Sequence, residues 1–179
     1  MAIDDLFTER LLLREFADTD FDALREIDGD PEILRYRTRT EITPAETRAF
    51  LVQAQSEAAD QPRQRYALAV VLRAGGRLVG QCGLTIINSA YDEAFMWYSV
   101  SRREWGQGYA TEAAGRLLRF GFEDAGLRRI FAECHPDNLA SARVMEKIGL
   151  RRESVSGAER LRYAATKDEP PAQTAGDGR

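Results

Sequence analysis

Two stretches of this chain bring together residues whose types and spacing could do chemistry. The first, Met96 to Ala114, reads MWYSVSRREWGQGYATEAA and sets Arg103, Gly106, Gly108 and Ala110 at R-x-x-G-x-G-x-A spacing. Glycines let a ligand approach the main chain closely. A helix starting there offers free N–H groups and the positive end of its dipole. A phosphorylated ligand is the natural guest. A Walker-type loop would end in Gly-Lys-Ser/Thr, which is absent. A dinucleotide loop would carry a third glycine where Thr111 stands. Taken alone, the octet also reads as a tight turn feeding a packed helix. The second stretch, Arg129 to Gly149, places Asn138, Ser141, Arg143, Glu146, Lys147 and Gly149 at N-x-x-S-x-R-x-x-E-K-x-G spacing. His135, the one histidine, is of a type suited to base work near neutral pH. Its place before Pro136, at a strand end, is equally a structural position for a polar residue.

Each stretch needs elements to hold it. Met96 to Val100 has the aromatic and bulky residues of a strand. From Gly108, a helical stripe runs through Ala110, Ala113, Ala114, Leu117, Leu118 and Gly121. Arg129 to Cys134 (RIFAEC) reads as another strand, and a helix carrying Ala142, Met145 and Ile148 follows. Upstream, Glu9 to Glu15 is a short strand. Asp18 and Thr19 can cap a helix through Phe21, Leu24 and Ile27, and Asp30-Pro31 starts a second. Thr43-Pro44-Ala45-Glu46 is a capping box launching a helix to about Ala59. Tyr66 to Leu72 and Leu78 to Asn88 pair through an Ala74-Gly75-Gly76 turn, and a turn over 89–93 leads to the strand Ala94 to Val100. Leu150 to Val155 and Glu159 to Thr166 form two last strands joined by 156–158.

The 179 residues suit one domain, at 1–166, with 167–179 a disordered tail. The net charge of -4 gives no electrostatic footprint for nucleic acid or an anionic membrane. A cationic acceptor fits it better. No apolar run spans a bilayer and no cleavable leader opens the chain, so a cytoplasmic protein is expected. Cys82 and Cys134 lack metal-ligand spacing and read as buried thiols. Asp18, Asp20, Asp22, Glu26, Asp28, Asp30 and Glu32 read as a solvated acidic face, with attraction of a protonated amine as the functional alternative.

The WGQGYATEA and NLASARVMEKIGL segments, in this order and with TERLLLREF before them, resemble the RimJ/RimL-like branch of the GNAT superfamily of acyl-CoA-dependent N-acetyltransferases. The resemblance runs from Thr8 to Thr166. It implies an α+β fold with a mixed, mostly antiparallel central sheet of about seven strands flanked by helices. The fourth strand, ending at Val100, and the fifth, Arg129 to His135, would splay into a V. A bulge in the fourth strand would free backbone groups to pair with a pantetheine arm.

By the same resemblance, Tyr98, Ser99 and Val100 line the pantetheine and thioester of acetyl-CoA. The amides of Gly106, Gln107, Gly108, Tyr109, Ala110 and Thr111, with Arg103 beside them, hold the pyrophosphate. Asn138 bonds the arm from the other wall, and Arg143 steers the acidic cosubstrate or is solvated. Glu133 matches a position where some relatives carry a general base, the alternative being a solvent-facing strand carboxylate; Glu93 is the second choice. Many relatives carry a tyrosine acid seven residues after the asparagine. Here that position is Met145, and Ser141 is the substitute, or else a helix-start serine bonded to backbone. A free N–H near Val100 would serve the oxyanion. The implied reaction moves acetyl directly from acetyl-CoA to a primary amine, a protein N-terminus or a small amine, with no metal, in a monomer or homodimer. The alternative is a non-catalytic acyl-CoA-binding module. A final hairpin shorter than in close relatives, Arg151 to Arg160, leaves the acceptor open.

Overall fold

The computed structural model describes residues 3–37, 41–88, 90, 92–155 and 159–167. Its chain lays down β1 (Leu6–Phe7), β2 (Leu11–Arg14), α1 (Phe21–Asp28), α2 (Pro31–Leu34) and α3 (Pro44–Glu57). A meander of β3 (Arg65–Leu72), β4 (Leu78–Asn88) and β5 (Glu93–Val100) follows, then α4 (Tyr109–Glu123) and β6 (Arg129–Cys134). Last come α5 (Leu139–Lys147), β7 (Arg151–Glu153) and β8 (Leu161–Thr166). The eight strands form one sheet in the order β1-β2-β3-β4-β5-β6-β8-β7. The strand beyond the seven expected is β1, whose two residues are too few to show any periodicity. The expected turns at 89–93 and 156–158 lie partly and wholly outside the described residues, as does the tail from 168 onward.

Both faces of the sheet are covered, and the pleat sorts the residues between them. Leu68, Val70, Leu84 and Met96 pack with Ala113 and Leu117 of α4 and with Ala142 and Met145 of α5. Ala67, Ala69 and Val71 pack on the opposite face with Leu24 and Ile27 of α1 and Leu51 and Ala54 of α3. The near-continuous apolar run of β3 is the sequence image of this double burial. At the start of α3 the reciprocal cap forms: Glu46 Oε2 accepts from the Thr43 N–H at 2.8 Å, and Thr43 Oγ1 accepts from the Glu46 N–H at 3.3 Å.

All neighbouring strands run antiparallel except β5 and β6. That parallel pair is joined only over Glu93–Phe95 and Arg129–Phe131. Beyond it β5 stays with β4 up to Val100, while β6 stays with β8 up to Cys134. The two strands therefore part into the expected V. The expected bulge is not its cause. β4 and β5 keep one register from Ala94 to Val100, and the shift in that pair falls between Ile86 and Asn88, at the closed end. The closed end is clamped by the Phe95 and Phe131 rings, 5.5 Å apart, and by Arg129, which bonds both Glu93 and Glu153.

Candidate active site

Pleat geometry settles which backbone groups face the V. The Ser101 N–H donates to the Val79 carbonyl at 2.8 Å. In an antiparallel pair only alternate residues bond the partner strand, so the odd-numbered residues of β5 face β4. The N–H and C=O groups of Tyr98 and Val100 thus turn toward the gap. The Val100 carbonyl accepts the Trp105 indole N–H at 2.9 Å. The Val100 N–H and the main-chain groups of Tyr98 remain for an extended ligand, which can pair with them as an added strand would. Splaying alone supplies what the bulge was expected to supply.

The gap opens into a cleft of about 740 Å³. Its walls include Tyr98, Ser99, Val100, Gly106, Gly108, Tyr109, Ala110 and Thr111 on one bank, with Glu133, Asn138, Ser141 and Arg143 on the other. Across the top, the Tyr98 hydroxyl stands 2.9 Å from Ser141 Oγ and 3.1 Å from the Ser141 carbonyl. Burial pushes the Tyr98 pKa well above the ordinary phenol value, so its O–H stays a donor. When it donates to Oγ, the Ser141 hydrogen is free to point into the cleft. Asn138 caps α5, its Oδ1 accepting from the Ser141 N–H at 3.1 Å. Its amide nitrogen makes no hydrogen bond among the described residues. Met145, where relatives place a tyrosine, is 1% exposed and belongs to the core.

The glycine loop has the backbone that its sequence requires. Gly106 and Gly108 take φ of 77° and 82°, where a side chain would be strained, and Gly108 is the N-cap of α4. Because the cap has no side chain, no carboxylate or hydroxyl of its own competes for the first N–H groups. A lock from Thr8 and Arg10, just before β2, fixes the loop, and nothing in the local sequence announces it. Arg10 Nε donates to Glu112 Oε2 at 2.7 Å, its Nη1 to the Gln107 carbonyl at 2.9 Å, and its guanidinium lies 4.6 Å from the Tyr109 ring centre. The Thr8 hydroxyl and Arg10 N–H both donate to Glu112 Oε1, at 2.6 and 2.9 Å. Burial opposes the charge of Glu112, yet the bonds from Thr8 and Arg10 hold its carboxyl below the usual range.

Three expected residues are not brought to the cleft. Glu93 sits at the closed end of the V against Arg129, about seven strand residues or roughly 23 Å from Val100. Arg103 is 76% exposed and pairs with Glu26 at 2.9 Å. Gln107 is exposed and contributes its carbonyl to Arg10, not a lining group. His135 is also outside the lining, its ring 5.8 Å from that of Tyr36. Glu133 does line the cleft, with Oε1 held by Arg162 at 2.7 Å. Most of the acidic stretch is consumed internally: Asp20 by Arg14 at 2.7 Å, Asp28 by Gln81 at 2.9 Å, and Asp30 by the Glu32 N–H at 2.8 Å.

Residues 10–151 match the acetyltransferase (GNAT) domain family. The chain belongs to the GNAT family. It is 33% identical over 146 residues to the uncharacterized N-acetyltransferase YnaD of Bacillus subtilis, covering 82% of each chain. A GNAT-family acetyltransferase of Bacillus anthracis superposes with a TM-score of 0.79 at 30% identity, over 93% of this chain and 100% of that one. RimJ of Mycobacterium smegmatis, solved with a CoA disulfide, superposes with a TM-score of 0.74 over 90% of this chain and 84% of its own. At 24% identity it attests the fold alone. The protein is an acetyl-CoA-dependent N-acetyltransferase. In this GNAT enzyme the free edge of β5 and the locked glycine loop suit a pantetheine arm and a diphosphate. Among the described residues, no helix is long and apolar enough to cross a membrane, and no cluster of acidic, histidine and cysteine side chains could hold a metal.

Proposed function

We propose that the enzyme moves an acetyl group directly from acetyl-CoA to a primary amine, both substrates meeting in the V. One observation carries this reading. The cleft is lined on one face of the sheet by α4 and α5, and on the other by Ile33 and Tyr36 at the end of α2. Two substrates can therefore approach the gap from opposite sides. On the cosubstrate side, the amides from Gly108 to Thr111 take the diphosphate, the Asn138 amide and the free edge at Tyr98 hold the arm, and Arg143 adds charge.

A lysine-like amine, with a pKa of about 10.4, must lose a proton to attack. Glu133, steadied by Arg162, is the base, directly or through water. The Val100 N–H, turned into the gap, receives the negative charge that develops on the thioester oxygen. A departing thiol has a pKa of about 8.5, far below that of a serine hydroxyl. Ser141, backed by Tyr98, therefore stabilises the thiolate by hydrogen bonding and does not surrender its proton. The acceptor is a small amine or a protein N-terminus. Thiol release from acetyl-CoA, measured against a panel of amines and N-terminal peptides, tests the reading. Ser141→Ala should lower kcat about tenfold or more while leaving CoA affinity within about twofold. Tight CoA binding with no turnover across the panel, in folded protein, would leave only a binding module.

A further inference from the structure

We propose that Arg37 and Arg160 form an anion site at the acceptor end of the cleft, so that the acetylated amine carries a carboxylate. The inference rests on the direct-transfer reading above and names its substrate class. Both residues line the cleft beside Ile33 and Tyr36, on the face opposite α4 and α5. Arg160 stands at the head of β8, and its Nη1 reaches the Tyr36 carbonyl at 3.5 Å, long for such a bond. It has no carboxylate partner among the described residues, although a guanidinium carries five donors. Its charge is felt at the Cys134 thiol on the cleft wall.

Arg37 is tethered without being used up. Its Nη1 lies 3.4 Å from Asp28 Oδ1, an oxygen that Gln81 already bonds at 2.9 Å. Apart from Asp28, which offsets part of the Arg37 charge, the neighbouring acids are turned to other cations. Glu133 is paired with Arg162 at 2.7 Å, and Glu32 lies 3.7 Å from Arg35. The acceptor end therefore presents two guanidiniums, whose planar forks match a carboxylate. This reverses the polarity that the acidic stretch suggested. A carboxylate-bearing amine has two sources, a free amino acid or a peptide whose N-terminal segment is acidic.

The test compares matched pairs: free amino acids against their amides, and tripeptides with Asp against Asn at the second position. The amide is the more easily deprotonated amine, so intrinsic reactivity works against the expected result. In at least one pair the acidic member should show a kcat/KM about tenfold or more above its neutral partner, the scale of one charge-assisted hydrogen bond. The pair that shows it identifies the source. Arg160→Gln should bring the ratio toward one, Arg160→Lys should keep part of it, and Arg37→Gln should reduce it independently. The KM for acetyl-CoA reports whether each variant is folded. Equal rates within every pair, faster transfer to polyamines, or an Arg160→Gln variant that slows both members alike would overturn the anion site and leave acetyl transfer standing. Transfer to no member, by protein that binds acetyl-CoA in calorimetry, would overturn both.

Discussion

Asp28 is a carboxylate kept where water barely reaches, 5% exposed at the end of α1. Burial raises its pKa, and Arg37 and Gln81 only partly pull it back. For an acid whose folded pKa lies above its unfolded one, the native state binds more protons through that window. Stability then falls as pH climbs from about 3.9, the ordinary aspartate value, through the folded value. Wild-type protein carries that cost at pH 7, and an uncharged isostere would not. Asp28→Asn should therefore melt about 2–4 °C higher at pH 7, an effect on the order of 1 kcal/mol. The gain should fade toward pH 4. Melting curves over a pH series decide it, and a gain that is flat with pH would locate the effect elsewhere. The same variant loosens Arg37, so kcat/KM for acidic acceptors should drop while thermal stability rises.

Between elements, the segment leading into β2 is coupled to α4 by Arg10 and Glu112, and through them the glycine loop is held before any ligand arrives. Arg10→Ala frees the Gln107 carbonyl and the head of α4. The KM for acetyl-CoA should rise about 5- to 20-fold, with kcat within about twofold, since the loss falls on binding. An equal fall in kcat would mean that the lock reaches the reacting atoms. The Glu112 carboxyl, held below its usual range, contributes stability that is present above about pH 4.3 and is lost as pH falls through its folded value. Glu112→Gln should accordingly flatten the acid limb of the stability profile.

The same elements mark what could be read from sequence. The stripe from Ala110 to Gly121 repeats at the helix period, the Gly106 and Gly108 turn is marked by its glycines, and the RIFAEC strand by its apolar run; all three lie where expected. What local period cannot carry is pairing at a distance. Tyr98 meets Ser141 across 43 positions, and Arg10 meets Glu112 across 102. The acids from Asp18 to Glu32 form one charged run in sequence, yet they disperse onto Arg14, Gln81, Gln55 and Arg103 once the chain folds. Charge composition showed how many acids there are and could not show that their charges were already satisfied.

At the scale of the molecule, the sheet is two arms, β1 to β5 and β6 to β8, hinged on three paired residues a side. In the proposed reaction the substrates meet at the open end, so the closed end must resist the spreading that the cleft permits. Phe131 lies under two guanidiniums, Arg162 at 4.5 Å and Arg129 at 5.5 Å, and Arg129 ties Glu93 on one arm to Glu153 on the other. Glu93 is better suited to this clamp than to chemistry. Glu93→Gln should cost about 1 kcal/mol, the upper range for a partly exposed pair within a network, and lower the melting temperature by about 2–4 °C. Acetyl-CoA at about one hundred times its Kd adds roughly 2.7 kcal/mol to either protein, since it binds the folded state alone. The ligand should therefore more than restore the variant, and kcat should stay within about twofold. Paired melts with and without acetyl-CoA, set beside steady-state rates, separate the two roles: a hundredfold fall in kcat at an unchanged melting temperature would return Glu93 to the chemistry and remove it from the hinge.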